Sequence, residues 1–395
     1  MRELSQVDQL LFADLVQKTL DAEFDESFPE NGSFVRQQRR GRDYWYYKGY
    51  ERSIGDEPGR SYLKYVGPVS DPNIEQRVAQ FGRLKVAYRA RRELASKLRA
   101  AGLPSPTRLE GQVLEAMARA GIFRLRAVLV GSIAYQTYSG LLGVKLSESL
   151  MRTGDVDFAQ FYGISQQIDD TIEDLQGRLQ SVDKTFRPLF YRDVDSLIPG
   201  FIAASGFKVE FLTPNRGDKA YEAVLAPMPA LGRGIGAQVL RFLDFLIKNP
   251  VRTVVLHDAG VAVTVPAPER YAVHKLIVST LRAQGSEAKM GKDLAQVADL
   301  IAAFTMTRRE ADLGIAWLEA WERGASWRRR LLRACLRLSD ESLQKLAAAV
   351  SIAAHLDGLE VEAFGLSGGR DEIVSRLAGR FQRPRPSDAG IAGSR

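Results

Sequence analysis

Apolar positions recur at helical spacing from the start of the chain. Leu4, Val7, Leu10, Leu11, Leu15 and Leu20 fall on one stripe and predict a helix over residues 3–27. The pattern then changes: SFVRQQR, DYWYYKGYER and SYLKYVGP are short aromatic and β-branched runs between Ser33 and Gly67, separated by RGR and by a loop at Ser53–Gly59. They predict a small antiparallel meander, followed by a basic helix over Asn73–Ala101 and a linker at Leu103-Pro104-Ser105-Pro106. Beyond the linker, helical and strand-like patterns alternate. Arg108–Ala120 and Ile133–Leu142 read as helices, FRLRAVLV (Phe123–Val130) and Asp155–Phe161 as strands, and Ser165–Val182 as a polar helix. FKVEFL (Phe207–Leu212) is a further strand, and RTVVLHDAGVAVTV a hairpin turning at Asp258-Ala259-Gly260. After Pro266 and Pro268 the pattern is helical to about Arg380, and RPRPSDAGIAGSR reads as a disordered tail.

These patterns divide the chain into four parts: 1–105 (helix, basic aromatic meander and basic helix), 106–265 (an α/β core), 266–380 (helices) and 381–395 (tail). Composition narrows the chemistry. With 395 residues, 45% apolar and 26% charged, the chain has the balance of a globular protein of two or three domains. One cysteine, Cys335, and three histidines exclude a disulfide framework and a Cys/His zinc site. Any bound metal must take carboxylates as most of its ligands. No apolar run reaches the roughly 18 residues needed to span a bilayer. MRELSQVDQLLFADLV lacks the basic start and apolar core of a secretory signal, so a soluble, cytoplasmic protein is expected. The net charge of +7 only weakly favours a polyanionic partner.

The most informative stretch is VLVGSIAYQTYSGLLGVKLSESLMRTGDVDFAQF. Asp155 and Asp157 lie two apart on a predicted strand, so both side chains leave one face, while Val156 and Phe158 leave the other. Two carboxylates on one face repel each other unless a cation lies between them. Gly131-Ser132 sits where a strand gives way to a helix. There glycine permits close backbone approach, and Ser132 with the first helical amides can donate to a phosphate. Glu210, inside the apolar FKVEFL, supplies a third acid. The order suits two Mg²⁺ ions held by three carboxylates with a triphosphate bridging metals and turn.

In VGS, DVDF and VEF the chain resembles the nucleotidyltransferase superfamily of the DNA polymerase β fold, over about Thr107 to Leu300. The wording GSIAYQTYSGLLGV…TGDVDFAQ is similar to a little-characterised bacterial subfamily. One departure is the 22 residues between Ser132 and Asp155, roughly twice the family gap, which requires a loop or extra turn at about Gly143–Gly154. The resemblance implies an α+β fold: a polymerase β-type core with a mixed sheet, an N-terminal helix and meander, and a C-terminal helical domain. It also implies transfer of a nucleoside monophosphate from an NTP to a hydroxyl. Asp155, Asp157 and Glu210 would be catalytic and metal-binding, and Gly131 and Ser132 would bind the nucleotide. The proline-led helix with Lys275, then Lys292-Asp293, resembles the segment that follows the core in abortive-infection and toxin-type nucleotidyltransferases. Carried over, Lys275 contacts the triphosphate and Lys292 supports it, with Asp293 orienting Lys292.

Other signals are weaker. Glycines 232, 234 and 236 in LGRGIGAQ do not form GxGxxG, no strand is predicted before them, and a flexible loop is expected. His274 reads as a packed helix histidine and Cys335 as a buried one, while Trp327–Leu338 reads as an ordinary amphipathic helix. In the meander, Arg36, Arg39, Arg40, Arg42, Lys48 and Arg52 interleave with Tyr44, Trp45, Tyr46, Tyr47 and Tyr50. This mixture suits phosphate neutralisation and base stacking, and equally a small sheet with solvated arginines. RNA, including a tRNA end, is the favoured acceptor, with a protein or small-molecule hydroxyl left open. The competing function is a catalytically idle fold that binds RNA or a partner.

Overall fold

The computed structural model describes residues 1–20, 32–39, 41–51, 60–151, 154–167, 171–190, 196–215, 224–282 and 285–379. Residues 21–27 of the expected first helix, Arg40, Arg52, the loop Ser53–Gly59 and the tail 381–395 lie outside them. The chain forms two compact units, Met1–Tyr271 and Ala272–Arg395. No helix among the described residues is long and apolar enough to cross a membrane.

The first unit begins with β1 (Arg2–Glu3) and α1 (Gln6–Leu20). The meander follows as β2 (Ser33–Arg39), β3 (Arg42–Glu51) and β4 (Arg60–Pro68), then α2 (Pro72–Ala100). Phe12 and Leu15 of α1 are buried with Leu98 of α2 and with Val254 and Leu256. The next segment runs α3 (Arg108–Arg119), β5 (Val128–Val130), α4 (Gly131–Leu142), β6 (Val144–Lys145) and β7 (Asp155–Ala159). A capping box at Thr107 and Glu110 starts α3, and Gly143 in the left-handed conformation ends α4. The long gap before β7 is therefore partly a strand: β6 pairs antiparallel with β1, Val144 opposite Glu3.

Then come α5 (Tyr162–Gln167), α6 (Leu175–Gln180), β8 (Arg187–Leu189), β9 (Gly200–Ile202), β10 (Lys208–Pro214), β11 (Ala226–Pro227), β12 (Gly236–Leu240) and α7 (Leu243–Leu246). The hairpin β13 (Val251–Val255) and β14 (Val261–Val265) turns as expected. Seven strands make one mixed sheet, in order β11-β12-β10-β7-β5, with β9 also on β10 and β8 beyond it. β10 runs parallel to β7 and β12, whereas β5 is antiparallel to β7.

Three further elements differ from the sequence reading. Only Val128–Val130 of Phe123–Val130 is strand, because residues 121–126 turn and Arg126 takes φ +64°. The single helix over Ser165–Val182 is two short ones. Asp174, at φ +45°, starts α6 by accepting from the Gly177 amide at 2.9 Å, so no continuous helix can pass through it. The glycine-rich LGRGIGAQ is only half a loop, since Gly236 opens β12.

The second unit is helical. α8 (Pro268–Ser279) carries the chain into it, followed by α9 (Glu287–Met306), α10 (Glu310–Glu322), α11 (Ala325–Cys335), α12 (Asp340–Leu356) and α13 (Gly369–Ala378). Trp317 and Trp321 stack on α10 at 6.1 Å. Gly314 lets α10 meet α12 closely, because a Cβ there would lie 2.1 Å from the Ala349 carbonyl oxygen. Cys335 is buried, and burial raises its thiol pKa, so it stays a protonated packing residue.

Candidate active site and family

The acidic cluster follows from strand alternation. On β7, Val156 and Phe158 are almost fully buried, which turns Asp155 and Asp157 to the other face, where both are half-buried. On β10, Val209 and Phe211 are buried, and the rings of Phe158 and Phe211 stack at 6.4 Å. That packing fixes the register: Glu210 stands beside Asp157, and Lys208 beside Asp155. As a result Asp155, Asp157 and Glu210 each present an oxygen, and the three atoms lie within 4.8 Å of one another. Three carboxylate oxygens this close form a hard-donor set that can hold a divalent cation.

Gly131 meets the cluster from the neighbouring strand. Val130 pairs with Asp157, and Gly131 follows at φ +77°, where a Cβ would come within 3.0 Å of Asp157 Oδ2. The turn thus brings the start of α4 and Ser132 next to the acids. No side chain caps this helix start. Behind the turn, Tyr135, Tyr138 and Tyr271 form a fully buried aromatic cluster, with Tyr138 and Tyr271 edge to face at 5.2 Å. The Tyr271 hydroxyl donates to the Gly131 carbonyl at 3.1 Å, and that of Tyr138 donates to the Pro266 carbonyl at 2.9 Å. Burial, with Tyr271 and Glu269 nearby, pushes the Tyr138 pKa well up, so it remains a neutral donor.

Two contacts hold the acidic strands. Gln136 donates to the Met151 carbonyl at 3.3 Å and ties α4 to the approach to β7. Gln238 of β12 donates to Glu210 Oε1 at 3.2 Å. Gln238 and Tyr271 are absent from the sequence-derived site. Gln238 lies just behind the glycines of LGRGIG, and Tyr271 lies in the proline-led helix among apolar residues, so neither carries a local mark of function.

The remaining candidates lie in the second unit. Asp293, 2% exposed, accepts from Lys275 Nζ at 2.6 Å and from Arg282 Nε at 2.9 Å. It was expected to orient Lys292. The contacts seen for its two oxygens run to Lys275 of α8 and to Arg282, three residues beyond that helix. Arg282 is the member of this cluster that the site assignment lacked. His274, packed beside it, has its pKa pushed down to about 3, first by burial and then by Lys275. It is a neutral packed histidine, as its place on the helix predicted.

A family profile described as Nucleotidyltransferase matches residues 108–322, just over half of the chain. The matched stretch runs from the start of α3 to the end of α10 and includes Gly131, Ser132, Asp155, Asp157, Glu210, Lys275, Lys292 and Asp293. No curated protein and no solved structure matches the chain. Nucleotidyltransferases typically use divalent metals and an NTP, which is consistent with a strand pair carrying three convergent carboxylates. The chain belongs to the nucleotidyltransferase family, and the protein is an enzyme of that class.

Proposed function

We propose that this enzyme transfers a nucleoside monophosphate from an NTP to an acceptor hydroxyl, on a polymerase β-type core, with release of pyrophosphate. The observation that carries the reading is the convergence of Asp155, Asp157 and Glu210 within 4.8 Å on adjacent parallel strands. Repelling oxygens of this kind fit Mg²⁺, which prefers carboxylates and phosphate oxygens together. Asp155 and Asp157 would hold both of two ions, and Glu210 would complete the acceptor-side position. When bound, the ions supply Lewis-acid polarisation of the phosphates and acidify the attacking hydroxyl.

The chain's own groups do the positioning. Gly131 and Ser132 cradle the β- and γ-phosphates at the start of α4, and Tyr271 holds the turn by its carbonyl. Glu210, held by the Gln238 amide, would accept the acceptor hydroxyl's proton or orient that hydroxyl for in-line attack. The acceptor oxygen forms a bond to the α-phosphorus as its proton passes to Glu210 and the bond to the pyrophosphate oxygen breaks. On the second unit, Lys275 and Lys292 are assigned to nucleotide phosphates, with Asp293 as the positioning residue for Lys275. The sequence resemblance supports kinship with abortive-infection and toxin-type enzymes, and the hydrophobic patterning supports the four-part division at residues 105, 265 and 380. The acceptor is assigned to RNA, tRNA ends included.

The test is incubation of the full chain with each labelled NTP, Mg²⁺ and total cell RNA or protein. Asp157→Asn is expected to lower transfer by about 10³-fold or more with unchanged circular dichroism. Transfer at the parent rate in that variant would overturn the reading. A label on protein rather than RNA would reassign the acceptor.

A further inference from the structure

The meander has two chemically different faces. The inner face is consumed by packing: Tyr47 is fully buried, meets Phe34 at 5.5 Å and Phe81 of α2 at 6.0 Å, and has Tyr62 and Val66 nearby. Burial raises the Tyr47 pKa to about 12, so its hydroxyl stays neutral. Trp45 on the same side donates to Glu75 of α2 at 3.0 Å, with Arg36 over its ring.

Alternation sends the other side chains of β3 outward. Arg42, Tyr44, Tyr46, Lys48 and Tyr50 share the outer face, and Tyr65 of β4 pairs with Tyr46 in register. The Tyr65 ring lies 5.6 Å from that of Tyr46 and 5.9 Å from that of Tyr44, so three rings form one continuous patch. Tyr65 and Tyr50 remain 55% and 53% exposed. Arg42 and Lys48 are exposed beside them. Among the described residues, no outward position of the three strands holds a carboxylate: Asp43 alternates to the other side. Exposed tyrosines without acids, flanked by cations, are electrostatically matched to a polyanion that also offers flat apolar faces. A duplex keeps its bases stacked inside, whereas a single strand can splay them onto aromatic rings.

We propose that this outer face docks single-stranded RNA, with bases stacked on Tyr46 and Tyr65 and phosphates paired with Arg42 and Lys48. Ser33 and Gln37 of β2 share that face and supply neutral hydrogen-bond groups suited to the 2′-hydroxyl. The role of this strand as acceptor rests on the transfer reaction proposed above; its binding does not.

Binding is therefore measured without NTP, by fluorescence anisotropy of a labelled 12-nucleotide uridine strand with the full chain. Tyr65→Ala is expected to weaken binding roughly 10-fold or more, while Tyr65→Phe keeps it. Lys48→Ala is expected to lower the salt-dependence slope by about 1. The exposed position of Tyr65 leaves the fold intact, checked by circular dichroism. Parent-level binding by Tyr46→Ala and Tyr65→Ala would overturn the surface, as would equal affinity for an RNA duplex. Equal affinity for the deoxyribose strand would overturn its assignment to RNA. No RNA binding by the parent chain, with label transfer to protein intact, would sink this inference and reassign the acceptor while leaving nucleotide transfer standing. RNA binding with no transfer to any acceptor would sink only the proposed reaction.

Discussion

Two charged clusters in this protein solve opposite electrostatic problems. On β7 and β10, Asp155, Asp157 and Glu210 gather like charges within 4.8 Å, with Lys208 as the lysine in register. In the second unit, one buried carboxylate, Asp293, sits between Lys275 and Arg282. The second cluster is complete in itself, because both oxygens of Asp293 face cations at 2.6–2.9 Å. The first is held together by apolar packing underneath it, through Phe158 and Phe211, despite its own repulsion. A group whose charges already balance serves structure and orientation. A group of crowded like charges is where an external cation can be held.

The largest expected effect tests the balanced cluster. Asp293→Ala leaves Lys275, whose side chain is 13% exposed, without its partner and frees an Arg282 that is 32% exposed. The loss should be about 3 kcal/mol, the low end for breaking a buried pair, since Arg282 can turn to water. Urea denaturation reads it, and a loss under roughly 1 kcal/mol would mean the pair behaves as a surface one. The next effect is on pH. The pKa of His274 is depressed to about 3 in the folded protein by burial, Lys275 and Arg282, against an ordinary value near 6.5. Below 6.5 the unfolded chain binds a proton that the folded chain refuses. Stability is therefore full above that pH and falls as pH drops from 6.5 toward 3, by roughly 1.4 kcal/mol at pH 5.5. His274→Gln should flatten this slope, and an unchanged slope would assign the titration elsewhere.

Much of the acidic site was legible because strands repeat every two residues. Asp155 and Asp157 interrupt an apolar rhythm, and Glu210 does the same in FKVEFL, so their common facing follows from spacing. The match of β7 to β10 was less open to reading, since it depends on ring packing between Phe158 and Phe211 some fifty residues apart. Gln238 was out of reach because LGRGIG conceals the start of β12, and its parallel pairing with β10 is a nonlocal choice. The Tyr271 contact to the Gly131 carbonyl joins positions 140 residues apart. Local chemistry also misled where one side chain decides: Asp174 splits an otherwise helical stretch by capping α6 itself. Asp293 shows the same limit, because the family resemblance paired it with Lys292 and gave no sign of its contacts to Lys275 and Arg282, which tertiary packing supplies.

The smallest effect has the opposite sign and separates the clusters most cleanly. Asp157→Asn keeps the shape of the side chain at its place beside Glu210 and removes one of three mutually repelling charges. Metal-free, the variant should be more stable than the parent by about 1 kcal/mol, a value held down by the partial solvent exposure of all three groups. Adding Mg²⁺ should raise the thermal midpoint of the parent and leave that of the variant nearly unmoved, since only the parent keeps the full oxygen set. Differential scanning calorimetry with and without Mg²⁺ reads both terms. A variant less stable than the metal-free parent would mean that the contacts of Asp157 outweigh the repulsion, as those of Asp293 do, and the contrast between the two clusters would fail. A gain in stability together with loss of transfer would show that the fold tolerates this repulsion for the sake of the cation it binds.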